Sequence, residues 1–107
     1  MELLERRYID WKRTGKKLLS LRNHNPHLRR YTCWLLQFGK GECGGDCETC
    51  EFEMDSRISR AELAEVFRTS ESVIFNWENG VTPVSLEDLL YYCRLCRVEL
   101  ADLLVFE

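Results

Sequence analysis

Three cysteines lie close together in a glycine-rich stretch of the chain. Cys43, Cys47 and Cys50 are separated by three and two intervening residues, so their short side chains can converge on one metal ion. Structural zinc is held by four such ligands in a tetrahedral shell, and the nearest candidate for the fourth is Cys33. We therefore expect a zinc site formed by these four cysteines.

A zinc ion bound by four thiolates would be structural, because a closed shell leaves no open position for a reacting water. It would hold together residues 39–50, whose four glycines cannot build a core. Three alternatives stay open. His24 or His27 could supply the fourth ligand, or the same cysteines could hold an iron–sulfur cluster and make the protein a redox or oxygen sensor. Without any metal, Cys47 and Cys50 could form a reversible disulfide.

Cys93 and Cys96 also have a two-residue gap, but they lie in a segment with helical periodicity. We expect these thiols to pack in the core as small apolar side chains, since buried structural cysteines are inert. Trp11, Trp34 and Trp77 are likewise expected to anchor the core rather than to stack on nucleic-acid bases.

Two short helices joined by a tight turn are predicted in the second half of the chain. Ser59 and Glu62 form the Ser-x-x-Glu pattern that caps the start of the first helix, which ends near Phe67. Ser70 can cap the second helix, and Gly80 can end it in the left-handed conformation.

Residues 58–104 resemble the phage-repressor and Cro type of helix-turn-helix protein, the XRE class. The resemblance implies an all-α fold, a repressor-like bundle of about five to six helices in a single domain, residues 1–107. Residues 15–22 resemble the first helix of that family, so residues 23–57, with their cysteines, are an insertion and the main departure from it. The matching positions are Glu62-Leu63-Ala64, Ser70, Ile74, Trp77-Glu78-Asn79-Gly80, Pro83 and Ser85-Leu86-Glu87-Asp88-Leu89-Leu90.

The resemblance also implies that the second helix lies in the major groove of double-stranded DNA, with Trp77 and either Val73 or Ile74 turned into the core. An asparagine on such a helix could pair with adenine, a glutamate could accept from cytosine, and a phenylalanine could contact a thymine methyl. The residues expected to face the bases are Ser70, Glu71, Ser72, Phe75 and Asn76.

The net charge of −3 hides an asymmetry along the chain. Residues 1–30 hold nine Lys or Arg and three acidic residues, a net +6, whereas residues 31–107 hold six and fifteen, a net −9. Attraction to phosphate is therefore expected mostly from the N-terminal part. The cations expected at the phosphates are Lys16, Lys17, Arg29, Arg30, Arg60 and Arg68.

The remaining helices are predicted from periodicity and capping residues. A basic first helix falls within residues 1–22, and Gly15 weakens or breaks it. A short helix in the insertion starts at Asn25-Pro26. Two more helices follow the helix-turn-helix pattern, at residues 86–96 and roughly 99–105.

The sequence also favours some partners over others. No apolar run is long enough to span a bilayer, and the N-terminus lacks the layout of an export signal, so we expect a cytoplasmic protein without membrane contact. No catalytic pattern is present, so an enzyme is not expected.

Proteins of this class usually dimerise. The candidates for the interface are Leu3, Leu4, Val105 and Phe106, and an antitoxin-like module that binds a protein partner is the remaining alternative.

Overall fold

The computed structural model describes residues 7–38 and 58–107. They contain six α-helices and a π-helical turn, Trp34–Phe38, that continues the second helix. The only strand pairing among them is an isolated bridge between Ile9 and Phe106, so the predicted all-α class is confirmed for this part of the chain. The helices are α1 (Trp11–His24), α2 (Pro26–Cys33), α3 (Arg60–Phe67), α4 (Glu71–Glu78), α5 (Leu86–Cys96) and α6 (Leu100–Leu103).

Side chains at the predicted positions cap these helices. The Ser59 hydroxyl accepts a hydrogen bond from the Glu62 amide at 3.1 Å, and the Glu62 carboxylate accepts one from the Ser59 amide, also at 3.1 Å. Asn25 caps α2 by accepting from the Leu28 amide at 2.9 Å. Each cap satisfies an amide that has no partner within its own helix, which fixes where the helix begins.

Helix α1 differs from its prediction. It begins at Trp11, after the cap Asp10, and it continues without a break through Gly15. A Cβ atom on Gly15 would lie 2.5 Å from the carbonyl oxygen of Trp77 and 2.6 Å from that of Glu78. The glycine therefore does not interrupt α1; it allows α1 to approach the C-terminal end of α4.

The core lies between α1, α3, α4 and α5. Leu18, Leu63 and Ile74 have no exposed surface, and they meet an aromatic cluster in which the Phe67 and Tyr92 rings are 4.6 Å apart. Cys96 is fully buried and Cys93 half-buried, as expected for packing thiols. The remaining buried apolar side chains are Leu28, Ile58, Ala64, Val66, Trp77, Val84, Leu89, Leu95 and Leu103.

The three tryptophans do not share one environment. Trp77 is buried and Trp11 packs against the core, as predicted, but Trp34 is 56% exposed. The prediction for Trp34 was wrong because the π-helical turn begins at this residue, at the end of α2. Its ring lies 6.0 Å from that of Tyr31.

The two ends of the described chain meet. The Asp10 amide donates to the Val105 carbonyl at 2.7 Å, and the Val105 amide donates to the Thr14 hydroxyl at 3.0 Å. The last helix is shorter than predicted, because the backbone is extended from Leu104 onward and pairs with residues 8–10.

Candidate nucleic-acid interface

The turn between α3 and α4 is closed by backbone geometry and a serine cap. Arg68 adopts the left-handed conformation with φ 55°, which ends α3. The Ser70 hydroxyl accepts from the Val73 amide at 3.4 Å and lies 3.0 Å from the Ser72 hydroxyl. Together these contacts set α4 at an angle to α3, with the first turn of α4 at the surface.

The outer face of α4 carries the residues that the sequence analysis assigned to base contacts. Ser70, Glu71 and Ser72 are exposed, Phe75 is 45% exposed, and Asn76 is half-exposed. The opposite face is buried through Ile74 and Trp77, as expected. Within residues 7–38 and 58–107, the Asn76 side chain makes no hydrogen bond, so both its donor and its acceptor are available to a ligand.

Glu78 forms a buried ion-pair cluster with Arg22 and Arg60. Its carboxylate side chain has no exposed surface and accepts from Arg22 Nε at 2.6 Å and Arg22 Nη2 at 3.1 Å. Arg60 Nε donates at 3.0 Å to Glu78 Oε1, the oxygen that also accepts from Arg22 Nη2. Helix α4 has no cation of its own, and two arginines from α1 and α3 supply the counter-charge for Glu78. The cluster ties these three helices together.

Arg60 is the predicted phosphate contact that lies nearest the outer face of α4. Its side chain is 35% exposed, and its guanidinium carbon is 5.0 Å from the centre of the Phe75 ring. With Nε bound to Glu78, the guanidinium is fixed on one side and open on the other. The arrangement holds a positive charge beside the exposed end of the helix.

The other predicted cations occupy different surfaces. Arg68 is exposed at the turn between α3 and α4, and Lys16 is exposed on α1. The Lys17 ammonium donates to the Asp102 carbonyl at 2.9 Å, at the C-terminal end of α6. Arg29 is half-buried on α2, and Arg30 faces α5 across a groove. The structure thus brings Arg60 and Arg68 to the helix-turn-helix itself and distributes the others around the bundle.

Only part of the predicted metal site and dimer interface can be placed. Cys33 is half-buried in the last turn of α2, whereas Cys43, Cys47 and Cys50 lie outside the described residues. Leu3 and Leu4 also lie outside them. Val105 is half-buried beside Asp10, and the 39% exposed Phe106 ring packs under the Arg7 guanidinium at 5.0 Å.

Comparison with known proteins agrees with this geometry. Residues 56–103, which include α3 to α6, match the model of the family described as Helix-turn-helix. No curated protein and no solved structure matches the chain. Residues 56–103 are therefore similar to the helix-turn-helix domains of DNA-binding regulators, a class of domain that is not typically enzymatic. None of the helices described for this chain has the length and apolar content needed to cross a membrane.

Proposed function

We propose that this protein is a sequence-specific transcriptional regulator that binds double-stranded DNA with α4 in the major groove. The supporting observation is the one-sided burial of α4, with Ile74 and Trp77 in the core and the polar Ser70, Ser72 and Asn76 outside. A single exposed helix of this size fits the major groove, where side-chain amides and hydroxyls can distinguish base pairs.

Arg60 binds a phosphate beside that helix. Glu78 and the Phe75 ring fix its guanidinium in place, so little side-chain entropy is lost when its free nitrogens meet an anion. Arg68, at the exposed turn, supplies a second phosphate contact. Glu71 faces the same surface and repels phosphate, which limits binding to sites where it meets a cytosine amino group.

The protein binds DNA as a homodimer. One helix contacts only a short half-site, and two half-sites about one helical turn apart require two copies. Phe106 is among the exposed apolar residues at the paired chain ends and is our candidate for the contact. Sedimentation of the free protein and of its complex with DNA gives the stoichiometry, and one copy per operator would contradict this proposal.

Residues 23–57 carry a structural zinc ion bound by Cys33, Cys43, Cys47 and Cys50. Cys33 ends α2, so a zinc ion there would fasten the cysteine-rich residues 39–50 to α2, which packs against α5. Elemental analysis should find one zinc per chain, with loss of the metal in Cys47→Ser and retention in Cys93→Ser, the control in the core. A brown, oxygen-bleached sample would instead indicate an iron–sulfur cluster.

The base-contact proposal is tested with Asn76→Ala. This change should remove discrimination at one base pair, about 1–3 kcal/mol, without altering affinity for non-specific DNA. Fluorescence anisotropy with DNA from upstream of the protein's own gene, at fixed salt, measures both. Asn23→Ala, on α1, is the matched control. Equal base preference in the wild type and both variants would make α4 a packing element only.

The phosphate-contact proposal is tested with Arg68→Gln. Affinity should fall for every DNA sequence, and the slope of log affinity against log salt should decrease by about one unit. Arg13→Gln, an exposed arginine at the start of α1, is the control and should leave the slope unchanged. A normal slope for Arg68→Gln would remove the turn from the interface.

A further inference from the structure

A groove of about 500 Å³ lies between α2 and α5, away from the helix-turn-helix contact between α3 and α4. Half of its wall comes from α2, in the insertion, and the other half from α5, which the family match includes. Its volume is that of a typical small-molecule site. We call it the arginine groove and define it by six of its lining residues: Arg30, Tyr31, Trp34, Tyr91, Arg94 and Arg97.

The arginines of this groove differ from those elsewhere in the molecule. Among the described residues, no carboxylate forms an ion pair with Arg30, Arg94 or Arg97, and no acidic side chain lines the groove. In contrast, Arg22 and Arg60 are both held by Glu78. Residues 31–107 have a net charge of −9, so Arg94 and Arg97, beside a hollow with no carboxylate from the described residues, are a local reversal of that charge, and Arg30 adds a third cation.

The groove also has an aromatic wall. Trp34 is 56% exposed and its ring lies 6.0 Å from that of Tyr31, at an interplanar angle of 44°. Burial first, and then the neighbouring Tyr31 side chain, raise the pKa of Tyr91 to about 12. Tyr91 is therefore neutral near pH 7 and adds no negative charge to the groove. An exposed indole beside unpaired guanidinium groups offers stacking and anion binding at once.

We propose that the arginine groove binds a nucleoside phosphate, with its phosphate on Arg30, Arg94 and Arg97 and its unstacked base against Trp34. A phosphate offers three oxygens to the three guanidinium groups and a carboxylate offers only two, which favours phosphate. Duplex DNA does not fit, because its bases are stacked on one another and cannot reach an indole. An acidic peptide is disfavoured because each of its carboxylates offers only two oxygens. The ligand comes either from free nucleotide or from one unit of a single strand.

Isothermal titration of the full chain with adenosine 5′-monophosphate tests this proposal. We expect one site per chain, with adenosine and inorganic phosphate each binding at least about tenfold more weakly, because each offers half of the contacts. Arg94→Gln and Trp34→Ala should each weaken nucleotide binding by about tenfold. Arg13→Gln should bind as the wild type does. Circular dichroism and urea midpoints show whether each variant folds, and Arg30→Gln replaces any that does not.

Other results of the titration would identify a different ligand or overturn the proposal. Tighter binding of single-stranded hexadeoxyadenylate than of the mononucleotide, with the same dependence on Arg94, assigns the site to a nucleic-acid strand. Phosphate alone binding as well as the nucleotide means an adventitious ion only and overturns the proposal. Displacement of the nucleotide by an acidic tyrosine-containing peptide that binds more tightly also overturns the proposal. An absence of nucleotide binding up to about 1 mM overturns it as well.

Discussion

Arginine side chains are paired with a carboxylate in the buried ion-pair cluster but not in the arginine groove. In the cluster, Arg22 is 10% exposed and meets a carboxylate with no exposed surface. In the groove, Arg94 and Arg97 are exposed and no described carboxylate pairs with them. Because arginine stays charged in both places, the position of Glu78 decides which charge stabilises the fold and which is left for a ligand.

Arg60 combines the two roles: it is paired with a carboxylate, as in the cluster, and partly exposed, as in the groove. One nitrogen is bound to Glu78, while the rest of the guanidinium lies over the exposed Phe75 ring. Such an arginine contributes to the fold and remains able to bind phosphate. In the proposed complex, Arg60 supplies the positive charge for a helix that has two glutamates and no cation of its own.

The largest effect is expected when the cluster is broken at its centre. Glu78→Gln keeps the shape of the side chain but leaves Arg22 and Arg60 without a counter-charge, and removing one partner of a buried pair costs about 3–5 kcal/mol. Urea unfolding measures the loss in the free energy of unfolding. Glu65→Gln, an exposed residue of α3, is the control and should change it by less than about 0.5 kcal/mol. A small effect at Glu78 would mean that the cluster is hydrated and only orients the helices.

The second effect concerns the contact that allows Arg22 to reach Glu78. Gly15→Ala places a methyl group 2.5 Å from the Trp77 carbonyl oxygen, so α1 must move away from α4. We expect a loss of about 1–3 kcal/mol, even though alanine favours helix formation more than glycine. Ser20→Ala, on an exposed position of the same helix, is the control and should be neutral or slightly stabilising. Greater stability for Gly15→Ala would show that α1 does not need this close approach.

Gly15 and Glu78 have roles that could not be predicted from the sequence. The caps at Ser59, Ser70 and Ser85 were predictable because each bond joins residues three apart, and local patterns fix local geometry. Gly15 and Glu78 act through contacts between distant segments. Propensity alone marked the glycine as a weak point in α1, whereas its function is to admit the end of α4.

The two candidate sites were predictable to different degrees. The outer face of α4 followed from the resemblance to the helix-turn-helix family, which implies that Trp77 and either Val73 or Ile74 point inward. The arginine groove did not, because it depends on how an inserted helix packs on α5. A signal was present in Tyr31 and Trp34, two large aromatic residues that follow Arg30 closely, but the tryptophan was expected in the core because large aromatic side chains often anchor it. Only the packing places Trp34 at the surface beside Arg94.

Alkaline pH is expected to destabilise the buried core. Burial raises the pKa of Cys96 from 9.0 to about 12, so its thiol ionises more readily in the unfolded chain. Stability is therefore full below pH 9 and falls as the pH rises from 9 towards 12, by roughly 1 kcal/mol at pH 10 from this thiol. Cys96→Ala should flatten that fall, as measured by urea unfolding at pH 8 and pH 10. An unchanged slope in Cys96→Ala would assign the fall to other groups, such as the buried Tyr92.

The smallest effect is expected in the arginine groove. Arg94→Gln removes a charge that pairs with no described carboxylate, and it relieves repulsion from Arg30 and Arg97, so the free energy of unfolding should change by less than about 0.5 kcal/mol. Arg22→Gln, the same substitution in the buried cluster, should cost about 3–5 kcal/mol. Urea unfolding of the two variants side by side tests the comparison directly. If Arg94→Gln cost as much as Arg22→Gln, the groove arginines would be part of the fold, and their charge would not be available to a nucleotide.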